Sequence, residues 1–169
     1  MSASRARPLL ALALALSACG YHLAHSPADP LGPFAIVSGP VHVPAAAAIA
    51  AAEDGARAEL GRAGALGTGG TVEIELLRLD ETSEGIAVTS ASPFARGIRV
   101  TAIGRARLRR AGSATVERDT GDVRTSEVLA AGNVVAGVLG HDEATRAAAR
   151  RLGEVLVRKL LGFPEPGEP

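Results

Sequence analysis

Between Ile98 and Arg110, residue character alternates with a period of two. Ile98, Val100, Ala102, Ala106 and Leu108 fall on one face, and Arg99, Thr101, Ile103, Arg105, Arg107 and Arg109 on the other. That period fits an extended strand with one buried face and one wet face. A slip of one residue would bury the arginines, so this strand fixes the register of its neighbours. Upstream, Val72, Ile74 and Leu76 alternate with Thr71, Glu73 and Glu75. Downstream, Ala111-Gly112-Ser113 reads as a hairpin turn, and Ala114 to Thr125 returns as a further strand. Hairpins closing near Ser90 and Gly112 set Val72 against Leu108 and Leu77 against Ile103. They also place Glu75 opposite Arg105 and Glu73 opposite Arg107, with Glu117 opposite Arg107 and Asp119 opposite Arg105 on the other side. Cross-strand pairs of opposite charge contribute about 0.2–1 kcal/mol each.

The rest of the chain supplies a cover for such a sheet. Phe34 to Val37 and Val41 to Val43 read as one strand broken at Gly39-Pro40 by a turn or bulge. Pro44 suits a first helical turn, and Ile49, Ala52, Ala56 and Leu60 then share a helix face. Glu53 and Arg57 can pair along it. Gly55 and Gly61 each cost that helix about 1 kcal/mol relative to Ala. Gly64 ends it, and Gly67 to Gly70 reads as a loop. Asp80 to Gly85 is a polar interruption before Ile86-Ala87-Val88, and Ser90 to Gly97 a turn or long loop. Ala130 to Gly140 fits no element clearly. Asp142 is placed to N-cap a second helix, striped by Ala149, Leu152, Leu156 and Leu160 and widened by Ala148 and Val155. Arg158 and Lys159 suit its last turn, and Gly162 with Pro164 its stop. The expected fold is α+β: a two-layer sandwich, two helices packed on one face of a mostly antiparallel four-stranded sheet.

The N-terminus has a separate purpose. Arg5 and Arg7 precede an unbroken Leu/Ala run from Leu9 to Leu16, and Ser17-Ala18 stand directly before Cys19. Charge, apolar run and small residues in that order make a secretory signal. The run is far short of the roughly 20 residues that span a bilayer. Leu16-Ser17-Ala18-Cys19 resembles the lipobox of bacterial lipoproteins, which implies cleavage before Cys19 and acylation of that residue. Two or more acyl chains anchor stably, whereas one binds marginally. No second cysteine is present to pair with it. The expected organisation is a signal peptide over 1–18, a lipidated, proline-containing tether over 19–33, one α+β domain over 34–163 and a tail over 164–169.

Composition excludes several classes. Lysine plus arginine balance aspartate plus glutamate at 18 each, and the aromatics are only Tyr21, Phe34, Phe94 and Phe163. Neither a basic excess nor stacking platforms point to nucleic acid. Asp119-Thr120-Gly121 spells an aspartic-protease triplet, but charged residues flank it where an apolar strand should precede it, so a turn is the better reading. His22 and His25 have zinc-pair spacing without further ligands near them. The Gly67 segment lacks the Lys-Ser/Thr of a phosphate loop, and no serine has a nucleophile-elbow context. A non-enzymatic protein without metal or cofactor is expected.

Cys19-Gly20-Tyr21-His22-Leu23 resembles the mature start of LptE-type lipopolysaccharide-assembly lipoproteins, and the strand–helix–three strands–helix order that follows is similar to theirs. The resemblance implies an outer-membrane lipoprotein that plugs an LptD-type β-barrel, helps it assemble and assists lipopolysaccharide delivery to the outer leaflet. Gly20 after the cysteine fits outer-membrane sorting. Two other classes fit the same residues: an accessory lipoprotein of an ABC-type lipid transporter, and a free periplasmic lipid-binding lipoprotein with an apolar cavity. Anionic lipid A phosphates would suit the arginine row. In the register above, Arg105 and Arg107 are neutralised by carboxylates. Arg109 faces Thr115 and Arg110 flanks the turn, so ligand or partner contact is expected at Arg109 and Arg110 before Arg105 and Arg107.

Overall fold

The computed structural model describes residues 33–85, 96–131 and 134–163, all within one unit, Gly32–Pro169. The elements are β1 (Phe34–Ser38), α1 (Ala46–Arg62), β2 (Leu66–Gly85), β3 (Arg96–Arg110), β4 (Arg118–Asp119), β5 (Val123–Ala131) and α2 (Val134–Leu161). They form a five-stranded sheet in the order β1-β2-β3-β4, with β5 also on β3. β1 runs parallel to β2 with α1 as the crossover, and the other pairings are antiparallel. Both helices lie on one face, α1 against β1 and β2, α2 against β3 and β5. The α+β sandwich read from periodicity is the observed one, with five strands in place of four. Expectations on residues 1–32, Ile86-Ala87-Val88 and 164–169 lie outside the described residues, as does most of the Ser90–Gly97 segment.

The core follows the alternation. Val72, Ile74 and Leu76 of β2 and Val100, Ala102, Ala106 and Leu108 of β3 are buried beneath Ala52, Ala56, Leu60, Ala148, Ala149, Leu152, Leu156 and Leu160. With so few aromatics, packing depends on close approach. A Cβ on Gly104 would lie 2.8 Å from Leu152 Cδ2, so the missing side chain is what seats α2 on the sheet. Gly55 and Gly153 bring the helices together at a crossing with no room for a Cβ on either. Both helices stop where glycine predicts. Gly64 and Gly162 have φ of 66° and 77°, and the Ala65 and Phe163 N–H groups return to the Leu60 and Arg158 carbonyls at 2.9 Å.

Several expectations are corrected. Gly67 to Gly70 is strand, not loop: its glycines leave room for Pro33 and Phe34, and Gly70 pairs with Arg110. Asp80 to Gly85 also continues β2, because β3 supplies hydrogen bonds as far as Gly85–Arg96, and Glu81 and Thr82 there are exposed. Val41 to Val43 is not a strand; Gly39 N–H donates to the Ile74 carbonyl at 2.8 Å and the chain then leaves the sheet. The N-cap of α1 is Ala45, so Pro44 stands just outside the helix, and the buried stripe runs through Ala48, Ala51, Ala52, Gly55, Ala56, Glu59 and Leu60, with Ile49 at its margin. Asp142 is not an N-cap, since α2 begins at Val134 and takes in the Val/Leu/Gly run; Asp142 faces Arg146 one turn on, at 3.8 Å. The return strand is split into β4 and β5.

Candidate partner-binding face

The sheet face opposite the helices carries the charged half of the alternation. Two register pairs stand as expected, Glu75–Arg105 and Glu73–Arg107, as does Val72–Leu108. Leu77 does not oppose Ile103. It is a bulge between Leu76–Gly104 and Arg78–Ile103, one extra residue that turns Leu79 toward the helices opposite Ala102. On the other side Asp119 opposes Arg107, not Arg105, and Arg118 opposes Leu108. From Val123 onward the pairing has moved by one residue, with Gly104 opposite Val123.

Asp119-Thr120-Gly121 makes that offset and is a turn. Gly121 has φ of 63°, and its N–H donates to Asp119 Oδ1 at 2.7 Å. The turn swings Asp122 under Arg105, whose Nη2 donates to Asp122 Oδ1 at 2.7 Å. That hydrogen bond, then the Asp122 charge, raises the Arg105 pKa above its ordinary value. Asp122 is a partner the sequence reading missed, because simple alternation cannot show a one-residue insertion.

Arg107 is the centre of the lattice. Its Nη1 lies 3.3 Å from Glu75 Oε2 and 3.5 Å from Glu73 Oε1, and its Nε lies 3.3 Å from Asp119 Oδ2. Glu75 is buried on this wet face because the β1–α1 connection crosses it: His42 Nε2 and Glu75 Oε1 share a hydrogen bond of 2.7 Å. The expectation that Arg109 and Arg110 lack carboxylates is corrected. Arg109 Nη1 donates to Glu73 Oε2, diagonal to it across the hairpin. Arg110 forms a two-pronged pair with Glu117, Nε to Oε2 at 2.7 Å and Nη2 to Oε1 at 2.8 Å. Glu117 reaches Arg110 because the register shift carries it past Arg107.

Arg105, Arg107 and Arg109 therefore meet Glu73, Glu75, Asp119 and Asp122, three guanidiniums against four carboxylates. The row is self-neutralised, and an anion at Arg109 or Arg110 would compete with Glu73 or Glu117. Exposed ion pairs are individually weak, but a shared network holds its side chains in one arrangement. This face is thus rigid, hydrogen-bonding and close to neutral.

One consequence is a pH dependence. The Gly121 N–H, opposed by burial and then aided by Arg105 and Arg107, holds the Asp119 pKa below its ordinary 3.8. A depressed carboxylate stabilises the fold above the ordinary value, and that contribution is lost as pH falls through the lower folded value. Asp119→Asn keeps an acceptor for Gly121 but removes the charge. The variant should melt below wild type at neutral pH, and the gap should close as pH falls from 3.8 through the lower folded value. Thermal melts across an acid series check this, and a gap that persisted undiminished into strong acid would contradict it.

Among the described residues, two clefts flank this architecture. One, of about 300 Å³, lies between the start of α1, Leu79 and Glu81 of β2, and the segment His141–Arg146 of α2. The other, about 230 Å³, is lined by Arg110, Ser113, Thr115 and Glu117. Both are rimmed by charged groups. Among the described residues no cluster of three or more His, Cys, Asp or Glu is placed to hold a metal ion, and no helix is long and apolar enough to cross a membrane.

The class defined by fold and face is a two-layer α+β sandwich with one helix-covered face and one ionic face. No family model matches the chain, and the search of curated proteins found no match. Among solved structures the fold is similar to that of a minor lipoprotein from Acinetobacter baumannii. Its TM-score is 0.50 at 6% identity, covering 77% of this chain and 92% of that one. A candidate lipoprotein from Caulobacter crescentus CB15 aligns at 12% identity over 76% of this chain and 90% of its own, with a TM-score of 0.43, a likeness too weak to argue from. At such identities the first likeness establishes a shared fold alone.

Proposed function

We infer that this chain is a cell-envelope lipoprotein, anchored through Cys19, whose domain acts as a non-enzymatic binding partner of an outer-membrane β-barrel. The finer reading is a plug and assembly partner of an LptD-type barrel that assists lipopolysaccharide delivery. The observation that carries it is the self-neutralised sheet face. The inside of a large barrel is polar, and a rigid row in which Arg105, Arg107 and Arg109 are all paired can sit against it without leaving a bare cation behind. The lipobox before Cys19 and the fold shared with a minor lipoprotein support the anchor.

Crosslinked pull-down of the full-length chain from intact outer membranes tests the partner. A barrel of very high mass should co-purify; an ABC transporter in its place, or bound lipid without any barrel, would overturn the reading. Metabolic labelling with a fatty-acid analogue tests the anchor. Wild type should be labelled, and Cys19→Ser should lose the label and move to the soluble fraction. Label retained by the Ser variant would refute lipidation at Cys19.

A further inference from the structure

The sandwich has one end at which the N-terminal segment joins it. Pro33 is held there against bare backbone: a Cβ on Gly67 would lie 2.4 Å from the Pro33 Cβ, and one on Gly69 2.8 Å from the Pro33 carbonyl oxygen. The C-termini of both helices gather at the same end. Phe34 N–H donates to the Ala65 carbonyl just beyond α1, and Arg118 Nη1 donates to the Leu160 carbonyl near the end of α2, each at 2.7 Å. The turn after β3 closes there too, with Ala111 N–H on the Gly69 carbonyl at 3.0 Å.

Two exposed large apolar side chains sit at this end, Leu66 at 51% and Val116 at 37% exposure. Arg62, Arg110, Arg118 and Lys159, on the elements that meet here, are exposed as well. Their carboxylate partners are less exposed than they are, Glu154 beside Arg62 among them. Glu59, paired with Arg62, is 6% exposed at the side chain against 56% for its partner, and Glu117, paired with Arg110, 33% against 58%. An approaching surface therefore meets cations and apolar tips first, although the arginines are paired from below. That combination suits an interface of lipid headgroups, where shallow apolar burial and attraction to anionic lipid act together.

We propose that this end is a docking surface for an anionic lipid bilayer, with Leu66 and Val116 entering the headgroup layer and the exposed cations lying against lipid phosphates. The orientation rests on the reading of Cys19 as a lipid anchor. The 14 residues from Gly20 to Pro33 reach at most about 50 Å when fully extended. The tether length keeps the Pro33 end of the domain within about 50 Å of the membrane that holds Cys19.

The test uses the chain from residue 19 onward with Cys19→Ser, which retains every described element and removes the anchor. Co-sedimentation is measured on phosphatidylcholine vesicles with and without phosphatidylglycerol. Binding should require the anionic lipid and fall as salt rises. Leu66→Ser with Val116→Ser and Lys159→Glu should weaken it at least about fivefold, the effect expected for one basic residue near an anionic surface. Val37→Ser with Val128→Ser, exposed apolar residues away from this end, should leave it unchanged. Circular dichroism confirms that each variant is folded. No vesicle binding, equal loss in both variant sets, or binding to heparin but not to vesicles would overturn the proposal. Because the anchor is absent, these outcomes are separate from the labelling of Cys19, which can fail or succeed alone.

Discussion

Gly153→Ala is expected to destabilise the domain by about 1–3 kcal/mol, although replacing glycine in a helix interior ordinarily gains about 1 kcal/mol. A Cβ on Gly153 would lie 1.9 Å from the Ala52 carbonyl oxygen and 2.9 Å from the Ala56 nitrogen. On the facing helix, a Cβ on Gly55 would lie 2.1 Å from the Arg150 carbonyl oxygen. These are backbone atoms in the middle of two helices and cannot swing aside, so α1 and α2 must separate and loosen Leu152, Leu156 and Ala56 beneath. Gly61, also in α1, has nothing within 4 Å of its added Cβ. Gly61→Ala should therefore stabilise, by up to about 1 kcal/mol. Gly55→Ala with Gly153→Ala should cost less than the sum of the single changes, because one separation of the helices relieves both clashes. Urea denaturation of the four variants gives the comparison. A Gly153→Ala protein as stable as Gly61→Ala would show that the crossing is looser than its geometry.

Glycine also marks what the sequence leaves ambiguous. Gly55 reads as a cost to a helix and Gly67 to Gly70 as a loop, because sequence shows that a side chain is missing but not what fills its place. In each case the space is occupied, by Arg150 in one and by Pro33 and Phe34 in the other. Where residue type and periodicity agree, the reading was sound: the alternating strand, the stripe of Leu152, Leu156 and Leu160, and the glycine stops at Gly64 and Gly162 all stand. The ionic face was half legible. Strict alternation paired Glu73 and Glu75 with Arg107 and Arg105, but a bulge at Leu77 and an insertion near Thr120 leave no residue-type signature. The insertion gives Arg105 its Asp122, the β3–β4 register gives Arg110 its Glu117, and Glu73 reaches Arg109 diagonally, so the apparent surplus of charge is removed. His42 was equally hidden, since its contact with Glu75 depends on how the β1–α1 connection crosses the sheet.

Leu156→Ala should cost more than the middle of the range of about 2–5 kcal/mol found for such truncations. Leu156 is fully buried in α2, as are Leu152 before it and Leu108 on the sheet. The price of a cavity depends on how far neighbours can collapse into it, and here collapse is blocked twice. α2 already rests on the sheet at Gly104, whose added Cβ would lie 2.8 Å from Leu152 Cδ2, and it already touches α1 backbone through Gly153. The helix is in contact on both sides and has little room to settle, so most of the lost volume should remain empty. Against the 5–15 kcal/mol typical of a whole domain, such a loss is a large share of the stability. Leu161, half-buried on the same helix, is the comparison; its truncation should cost distinctly less. Denaturant midpoints measure both. A cost below about 1 kcal/mol for Leu156→Ala, or equal costs at the two positions, would mean that the helix can settle and that the glycine contacts do not set its height above the sheet.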